Sequence, residues 1–544
     1  VEFRPLALPE TDPWMEAART GASWLADRLP LDRGDLAAAA ARVRFDPALR
    51  GPLADALAAQ AARCGASDAS KAAIERLRDP QALVVVTGQQ AGALIGPNYT
   101  LFKAAGAVAR ARAAETQLGR PVVPVFWVAS EDHDIGEIDR VRLPVQGGGQ
   151  HDFHLFSPVP AGRRPVGPLA AGPELHRLID EIRASNTMPG AHREAVLDLL
   201  ASLVEDHATV GGHFTAVMAR LFAGTPLVFL DPMDPALRRL AAPMLSLALT
   251  EPDRVERAAL AGAAALEAVG REVQMPWQPP ETGVFAILDG ERTMLEVRDG
   301  RLAPRGRAGD SAPVAVWAKR AQETPEMFST AAHLRPILEA SILPVLGVVL
   351  GPGELRYHAE LRELYEAFDA VAPLVWARPR AVLVGGTTRR LLDKLPARVE
   401  DVLLDWPGRL RAALAERDTI GIGPAFERFE AALAGLHADL MSVLVPLGKD
   451  LQSLGERNLK KMADETAWLR GKAEQAHRQG NDTLVRQYRT LGEHLAPERV
   501  PQERHFTAIA FLAMYGLDLA ERMAGAQGIL QPGLLSVDVV DAAG

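Results

Sequence analysis

Cysteine is almost absent from this 544-residue chain, and Cys64 is the only one. A single thiol excludes an intramolecular disulfide, a CxxC redox pair and a zinc ribbon. Its Ala-rich, helical setting holds no activating neighbour, so Cys64 reads as a packing residue. No apolar run approaches the length that crosses a bilayer. The opening VEFRPLALPETDP lacks the charged-then-apolar pattern of a signal peptide. Excess positive charge is missing too: the net charge is −9, which offers nucleic acid no global attraction. These absences lead to the expectation of a cytoplasmic protein with neither a membrane nor a nucleic acid as partner.

What remains is a chain built for a large core, with 48% hydrophobic and 24% charged residues. Its length predicts two or three domains. Residues 1–80 are Ala/Leu/Arg-rich with helical periodicity over 14–78, interrupted at Pro30 and Pro47. Residues 81–388 alternate buried-strand patterns (83–86, 122–128, 227–230, 343–350 and 373–377, the last strand expected) with helices, including one predicted from Glu354 to Phe368. Two β-rich insertions interrupt this core, near 140–170 and 270–320. The second carries Asp289-Gly290 and Asp299-Gly300, pairs suited to tight hairpin turns. Residues 389–495 change character to Leu-spaced, charge-rich helices broken at 421–424 and 445–448, the pattern of an antiparallel coiled-coil arm. Residues 496–544 read as a helix from Phe506 to Met523 and a strand over 534–540 that returns to the core.

The chemistry concentrates in residues 82–140. Two apolar runs flank an Ala-rich helical stretch, which makes a β-α-β unit, and such crossovers are right-handed. Both strands must then open their following loops on one carboxyl edge, where ligands bind in open α/β sheets. The first loop holds Gly88-Gln89-Gln90; the second holds Glu131-Asp132-His133-Asp134. The Gly-rich stretch matches neither G-x-G-x-x-G nor G-x-x-x-x-G-K-[ST]. Gly96-Pro97 can open a helix whose free amides attract an anion, with Asn98, Thr100 and Lys103 near that end. The ordinary alternative is a turn with a solvated lysine. In the second loop, carboxylates beside His133 suit a general base, because they fix its tautomer and raise its basicity. Asp134 alone could be a helix cap, and a metal set of Asp132, His133 and Asp134 with His151 and His154 is a further reading. Consecutive residues rarely ligate one ion, so no metal site is expected. Arg163, Arg335 and Arg378 stand in loops or at strand ends where guanidinium forks suit carboxylate or phosphate. Gly351-Pro352-Gly353-Glu354 repeats the strand–glycine–helix arrangement and offers a second anion site.

Taken together, VVTGQQAGALIGPNYTLFK, PVVPVFWVASEDHDIGEID, RRPVG, FSTAAHLRPILEASILPVL, GPGELRYHAELRELYEAF and PQERHF resemble the BshC family, the cysteine ligases of bacillithiol biosynthesis. The resemblance implies a Rossmann-like core with inserted segments and a helical coiled-coil arm that dimerises. It implies addition of L-cysteine to glucosaminyl-malate by an amide bond, the last step of the pathway, with ATP, carried by Mg2+, as the expected cofactor. On this reading His133 is the base, Lys103 and the glycine loop stabilise phosphate, and the arginines clamp malyl carboxylates. The chain departs from the family at Ala331 and His358. Rivals are a metal-dependent hydrolase on the Asp132-His133-Asp134 loop and a non-catalytic nucleotide-binding scaffold. A tRNA-linked role is disfavoured by the acidic charge and by the lack of HIGH and KMSKS signatures.

Overall fold

The computed structural model describes residues 1–32 and 34–539. They form two compact units, one of Val1–Leu383 together with the segment from Pro501 onward, the other Val384–Val500.

The first unit is organised by a five-stranded parallel sheet: β1 (Leu83–Gln89), β2 (Val122–Val128), β3 (Val228–Leu230), β4 (Val345–Leu350) and β5 (Leu374–Ala377). The strands are nearly continuous apolar runs because both faces are covered. Val84, Val86, Val123, Val125 and Trp127 enter the cluster shared with Arg50–Arg63 and Pro235–Thr250. Phe126 and Val128 enter the opposite cluster, with helix Tyr99–Leu118. Alternation along each strand thus feeds two cores.

Strand order is β3-β2-β1-β4-β5. The order reverses between β1 and β4, and at such a switch point the two loops diverge and leave a crevice at the carboxyl edge. The sequence reading of a Rossmann-like core is therefore realised in strand order as well as in pattern.

Both β-rich insertions are present. The first is the hairpin Arg140–Pro144 with Gln150–His154. The second is an antiparallel sheet of Glu281–Leu288, Glu291–Arg298, Arg301–Pro304 and Ala312–Pro313, completed by Phe328–Thr330. Its turns take the expected form, with positive φ at Asp289 (53°), Gly290 (79°), Asp299 (50°) and Gly300 (70°).

Several expectations need correction. The strand 373–377 is not the last of the core, since Arg380–Gly385 joins Leu534–Val539 and an unforeseen strand, Glu2–Pro5, in a separate three-stranded sheet. Val540, placed in that strand from sequence, lies outside the described residues. The single helix over 354–368 is two, Pro352–His358 and Arg362–Ala367. The Glu360 carboxylate turns inward to accept the amides of Gln274 and Met275, and that tertiary anchor interrupts the helix. The tail helix expected over 506–523 is two, Ile509–Tyr515 and Leu519–Gly525, with a further short one, Gln502–His505, before it. Gly516 at φ 96° ends Ile509–Tyr515.

The second unit is helical, with Gly386–Lys394, Val399–Glu416, Ile422–Leu444, Lys449–Gly480 and Asp482–Leu495. Breaks fall at the two expected places. Ile422, Phe426, Phe429, Leu433, Leu436, Leu440 and Val443 alternate spacings of four and three, a heptad seam. Phe429, Leu436, Leu440 and Val443 are exposed. By length and composition alone Ile422–Leu447 is apolar enough to cross a membrane, which corrects the expectation that no run is.

Candidate active site

The switch point opens into a cleft of about 290 Å³. Its walls come from four of the five loops on the carboxyl edge: Gly88, Gln89 and Gln90 after β1, Asp132 after β2, Gly351, Gly353, Glu354, Tyr357 and His358 after β4, and Arg378 after β5. Helix Tyr99–Leu118 adds Tyr99 and Lys103, helix Arg335–Ile342 adds Arg335 and Glu339, and the tail adds Arg504.

Lys103 sits at the base, 4% exposed. Its ammonium donates to Gly88 O (2.7 Å), to Gln89 Oε1 (3.0 Å) and to Glu354 Oε2 (2.7 Å). Burial pulls its pKa down, and Glu354 opposes the shift. The Gly351 amide donates to the same Glu354 carboxylate, at 2.7 Å. Pro352 has no N–H, so this helix start places a carboxylate at the edge where the sequence reading placed an anion.

At the other expected anion site the tail takes up one of the amides. Asn98 N donates to Phe506 O (3.1 Å) and Ala508 N to Gly96 O (2.8 Å), so 96–98 is tied to the tail. Asn98 and Thr100 are wholly buried. The cations that do face the cleft gather round the Tyr99 ring: Arg378 at 5.3 Å, Arg504 at 5.7 Å and Lys103 at 5.9 Å. Arg378 is paired with Glu503 at 2.6 Å. Among the described residues no carboxylate bonds Arg504.

On the β2 side, Glu131 is fully buried and paired with Arg238 and, at 3.4 Å, with Arg335. Burial pushes its pKa up, but Arg238, Arg335 and Arg292 outweigh that and hold it below the usual range. Asp132 accepts from Gln90 Nε2 at 3.0 Å and lies 3.8 Å from Arg335. Glu131 is therefore an anchor that sets Arg335, while Asp132 reaches the cleft.

His133 departs furthest from expectation. Its Nδ1 is 3.9 Å from Asp132, too far for a hydrogen bond. Instead Arg292 Nη1 meets Nδ1 and Arg163 Nε meets Nε2, both at 3.1 Å. Burial and these two guanidinium groups depress its pKa against the opposing pull of Asp132 and Asp134. The raised basicity expected from neighbouring carboxylates is not what the fold provides.

Ten sequence-predicted residues thus converge on the cleft: Gly88, Gln89, Gln90, Lys103, Asp132, Arg335, Gly351, Gly353, Glu354 and Arg378. Gly96, Asn98, Thr100, Glu131, His133, Asp134 and Arg163 lie off its walls, Asp134 being exposed at the start of Ile135–Ile138. Sequence reasoning missed Arg292, Glu339, Tyr357 and Arg504. Glu339 lies one turn beyond Arg335 on the same helix face, a spacing that could have found it. Burial raises its carboxyl to about 8. Of the departures, His358 is buried in the cleft wall with its pKa lowered to about 4 by burial, and Ala331 bonds through its backbone to Gly283 O at 2.8 Å. Among the described residues no three of His, Cys, Asp and Glu are grouped closely enough to hold a metal ion.

Comparison with known proteins bears on this cleft directly. The family described as "Bacillithiol biosynthesis BshC, N-terminal Rossmann-like domain" matches residues 35–379. The "Bacillithiol biosynthesis BshC, C-terminal coiled-coil domain" matches residues 381–533. A BshC protein of Symbiobacterium thermophilum is 35% identical over 475 residues, 84% of each chain. Those of Koribacter versatilis and Geobacillus kaustophilus are 32% and 30% identical, covering 91% and 87% of each chain. All three relatives bear the name cysteine ligase. A Rossmann-ordered sheet, a cleft at its switch point and two family matches that span both units lead to one conclusion: the chain belongs to the BshC family of bacillithiol biosynthesis.

Proposed function

We propose that the chain joins L-cysteine to glucosaminyl-malate, the last step of bacillithiol biosynthesis. The observation that carries this reading is the switch-point cleft, with cations round Tyr99 at one side and Asp132 with Arg335 at the other. Between them stands the Lys103–Glu354 pair. Amide formation needs a carboxyl made reactive and an amine made neutral. ATP, when bound, supplies a leaving group on the cysteine carboxyl oxygen. Arg504 and Arg378 would hold its phosphates, and the exposed Arg504, which no carboxylate among the described residues bonds, fits that role. Magnesium would arrive with those phosphates.

The acceptor amine nitrogen attacks the carboxyl carbon, and the C–N bond forms as the C–O bond to the leaving group breaks. The ammonium proton passes to Glu354, which Lys103 holds in place. The buried floor excludes water that would otherwise hydrolyse the activated acid.

The lone cysteine and a thiol product fit a reducing cytoplasm. The exposed heptad seam supports a homodimer through the helical unit, because four apolar positions at that spacing need a facing helix. The test is direct. Purified protein with L-cysteine, glucosaminyl-malate and ATP is expected to yield the amide thiol by mass spectrometry, with nucleotide turnover. A deletion strain is expected to lose bacillithiol and accumulate glucosaminyl-malate; an unchanged thiol profile would overturn the assignment.

A further inference from the structure

Most charges on the cleft wall already have a protein partner. Glu354 is held by Lys103 and by the Gly351 amide, both at 2.7 Å. Asp132 faces Arg292 at 3.6 Å and Arg335 at 3.8 Å, and Arg378 is paired with Glu503. Three wall residues are left over: Arg504, Glu137 and Glu339. Arg504 and Glu137 are exposed, so water solvates both. Glu339 is not exposed in this way. It is partly buried, and among the described residues its carboxyl group makes no hydrogen bond or ion pair.

The missing partner is conspicuous because a cation stands one turn away. Arg335 and Glu339 have the spacing that pairs opposite charges along a helix. Arg335 is drawn instead to Glu131, at 3.4 Å, and to Asp132. Burial raises the Glu339 carboxyl to about 8, with Arg335 opposing the rise and Glu354 adding to it. The groups that face it are Arg335 on its own helix, Glu354 and Tyr357 on Pro352–His358, and Tyr365 on Arg362–Ala367. Burial holds both phenols above their usual range, so neither supplies a charge. A carboxyl set in a cleft wall, raised by burial and denied a cation by the fold, is suited to a cation that a ligand brings.

The reaction offers two amines. The acceptor amine loses its proton to Glu354 and is acylated. The amine of the amino acid must stay protonated, since a free one would attack the activated acid of a second molecule. We propose that Glu339 receives the α-ammonium of the amino-acid substrate and so distinguishes an amino acid from a simple thiol acid. The proposal deepens the ligase reading and rests on it for the identity of that amino acid. No covalent bond changes in this step. The neutral carboxyl releases its proton to solvent as the ammonium arrives, leaving a carboxylate–ammonium pair.

The probes are L-cysteine and 3-mercaptopropionate, which is cysteine without its amine, each titrated calorimetrically into the intact chain with ATP and magnesium. A hydrogen bond to a charged group contributes about tenfold or more in affinity. L-Cysteine is therefore expected to bind at least about tenfold more tightly than 3-mercaptopropionate. Glu339→Gln keeps the shape of the side chain and is expected to close that gap by weakening cysteine alone. Glu339→Asp is expected to recover part of it. Titrations in phosphate and in Tris at about pH 7 are expected to differ in enthalpy for wild type, because a proton is released on binding, and to agree for Glu339→Gln. Equal loss of both probes in Glu339→Gln, an unchanged preference for cysteine, or no cysteine binding to wild type overturns the subsite. If the amide thiol still forms in the first two cases, the ligase reading stands without it. Glu339-dependent preference for cysteine in a protein that forms no amide supports the subsite and overturns the ligase reading instead.

Discussion

At the scale of single residues, the cleft is governed by buried groups whose partners are already chosen. All three ammonium protons of Lys103 have acceptors, so this residue holds Gly88, Gln89 and Glu354 together. Lys103→Met would leave the Glu354 carboxylate with only the Gly351 amide, and would take the ammonium donor from Gly88 O and Gln89 Oε1. Breaking a buried pair this way costs about 3–5 kcal/mol. The expected outcome is a lower melting temperature and loss of amide formation; a stable variant with wild-type turnover would remove the pair from the reaction. Glu339 behaves oppositely. Its folded pKa of about 8 lies above the unfolded value of 4.5, so the folded protein holds the proton more tightly. The stability that goes with this proton is full below 4.5 and is lost as pH rises toward 8. Glu339→Gln keeps a neutral side chain of the same shape. It is expected to match wild type near pH 4.5 and to be more stable at pH 8, by about 1–3 kcal/mol once solvent screening at the cleft is allowed for. Denaturant titrations across that range check it, and an unvarying difference would show that Glu339 ionises normally.

At the scale of elements, the acidic-histidine loop depends on how closely the 157–168 loop approaches it. A Cβ on Gly167 would lie 2.3 Å from Ser130 Cβ, and Gly211 crowds the same glycine from behind. Gly167→Ala must therefore push the loop outward and carry Arg163 off His133. Overpacking of this kind costs about 1–3 kcal/mol. A modest melting shift is expected, and an unchanged melting temperature would show that the loop adapts without strain. Much of this architecture was legible in sequence. Continuous apolar runs reported a doubly covered parallel sheet, Asp-Gly pairs reported hairpin turns, and three-and-four spacing reported the helical arm. The parts that escaped are those fixed by distant partners. Arg292 stands in ERTMLEVR, an ordinary half-exposed strand, 159 positions from the His133 it touches. The break after His358 has no proline or glycine to announce it, because the Glu360 carboxylate on the Gln274 and Met275 amides makes it. At the expected anion sites Glu354 takes the Gly351 amide and the tail takes the Asn98 amide, internal competitors that sequence spacing cannot show.

At the scale of the whole molecule, the helical unit displays its apolar seam outward. Leu436→Glu with Leu440→Glu places two charges on exposed heptad positions and leaves the unit's own packing untouched. Light scattering is expected to report a dimer for wild type and a monomer for this variant, with folding retained by circular dichroism. A wild-type monomer at micromolar concentration would end the dimer proposal. The sheet that pairs Glu2–Pro5 with Leu534–Val539 bears on how the fold is reached. Leu534–Val539 lies between Glu2–Pro5 and Arg380–Gly385, pairing Phe3 with Val537 across more than five hundred residues. Phe3 is buried against Phe102 on the helix beside the cleft. During synthesis Glu2–Pro5 therefore has no neighbour until Leu534–Val539 has been made. Contacts this remote in sequence form slowly. A nascent chain carries Phe3 and the edge of Arg380–Gly385 uncovered, open to chaperones and proteases, until Leu534–Val539 docks between the two strands and seals that part of the fold.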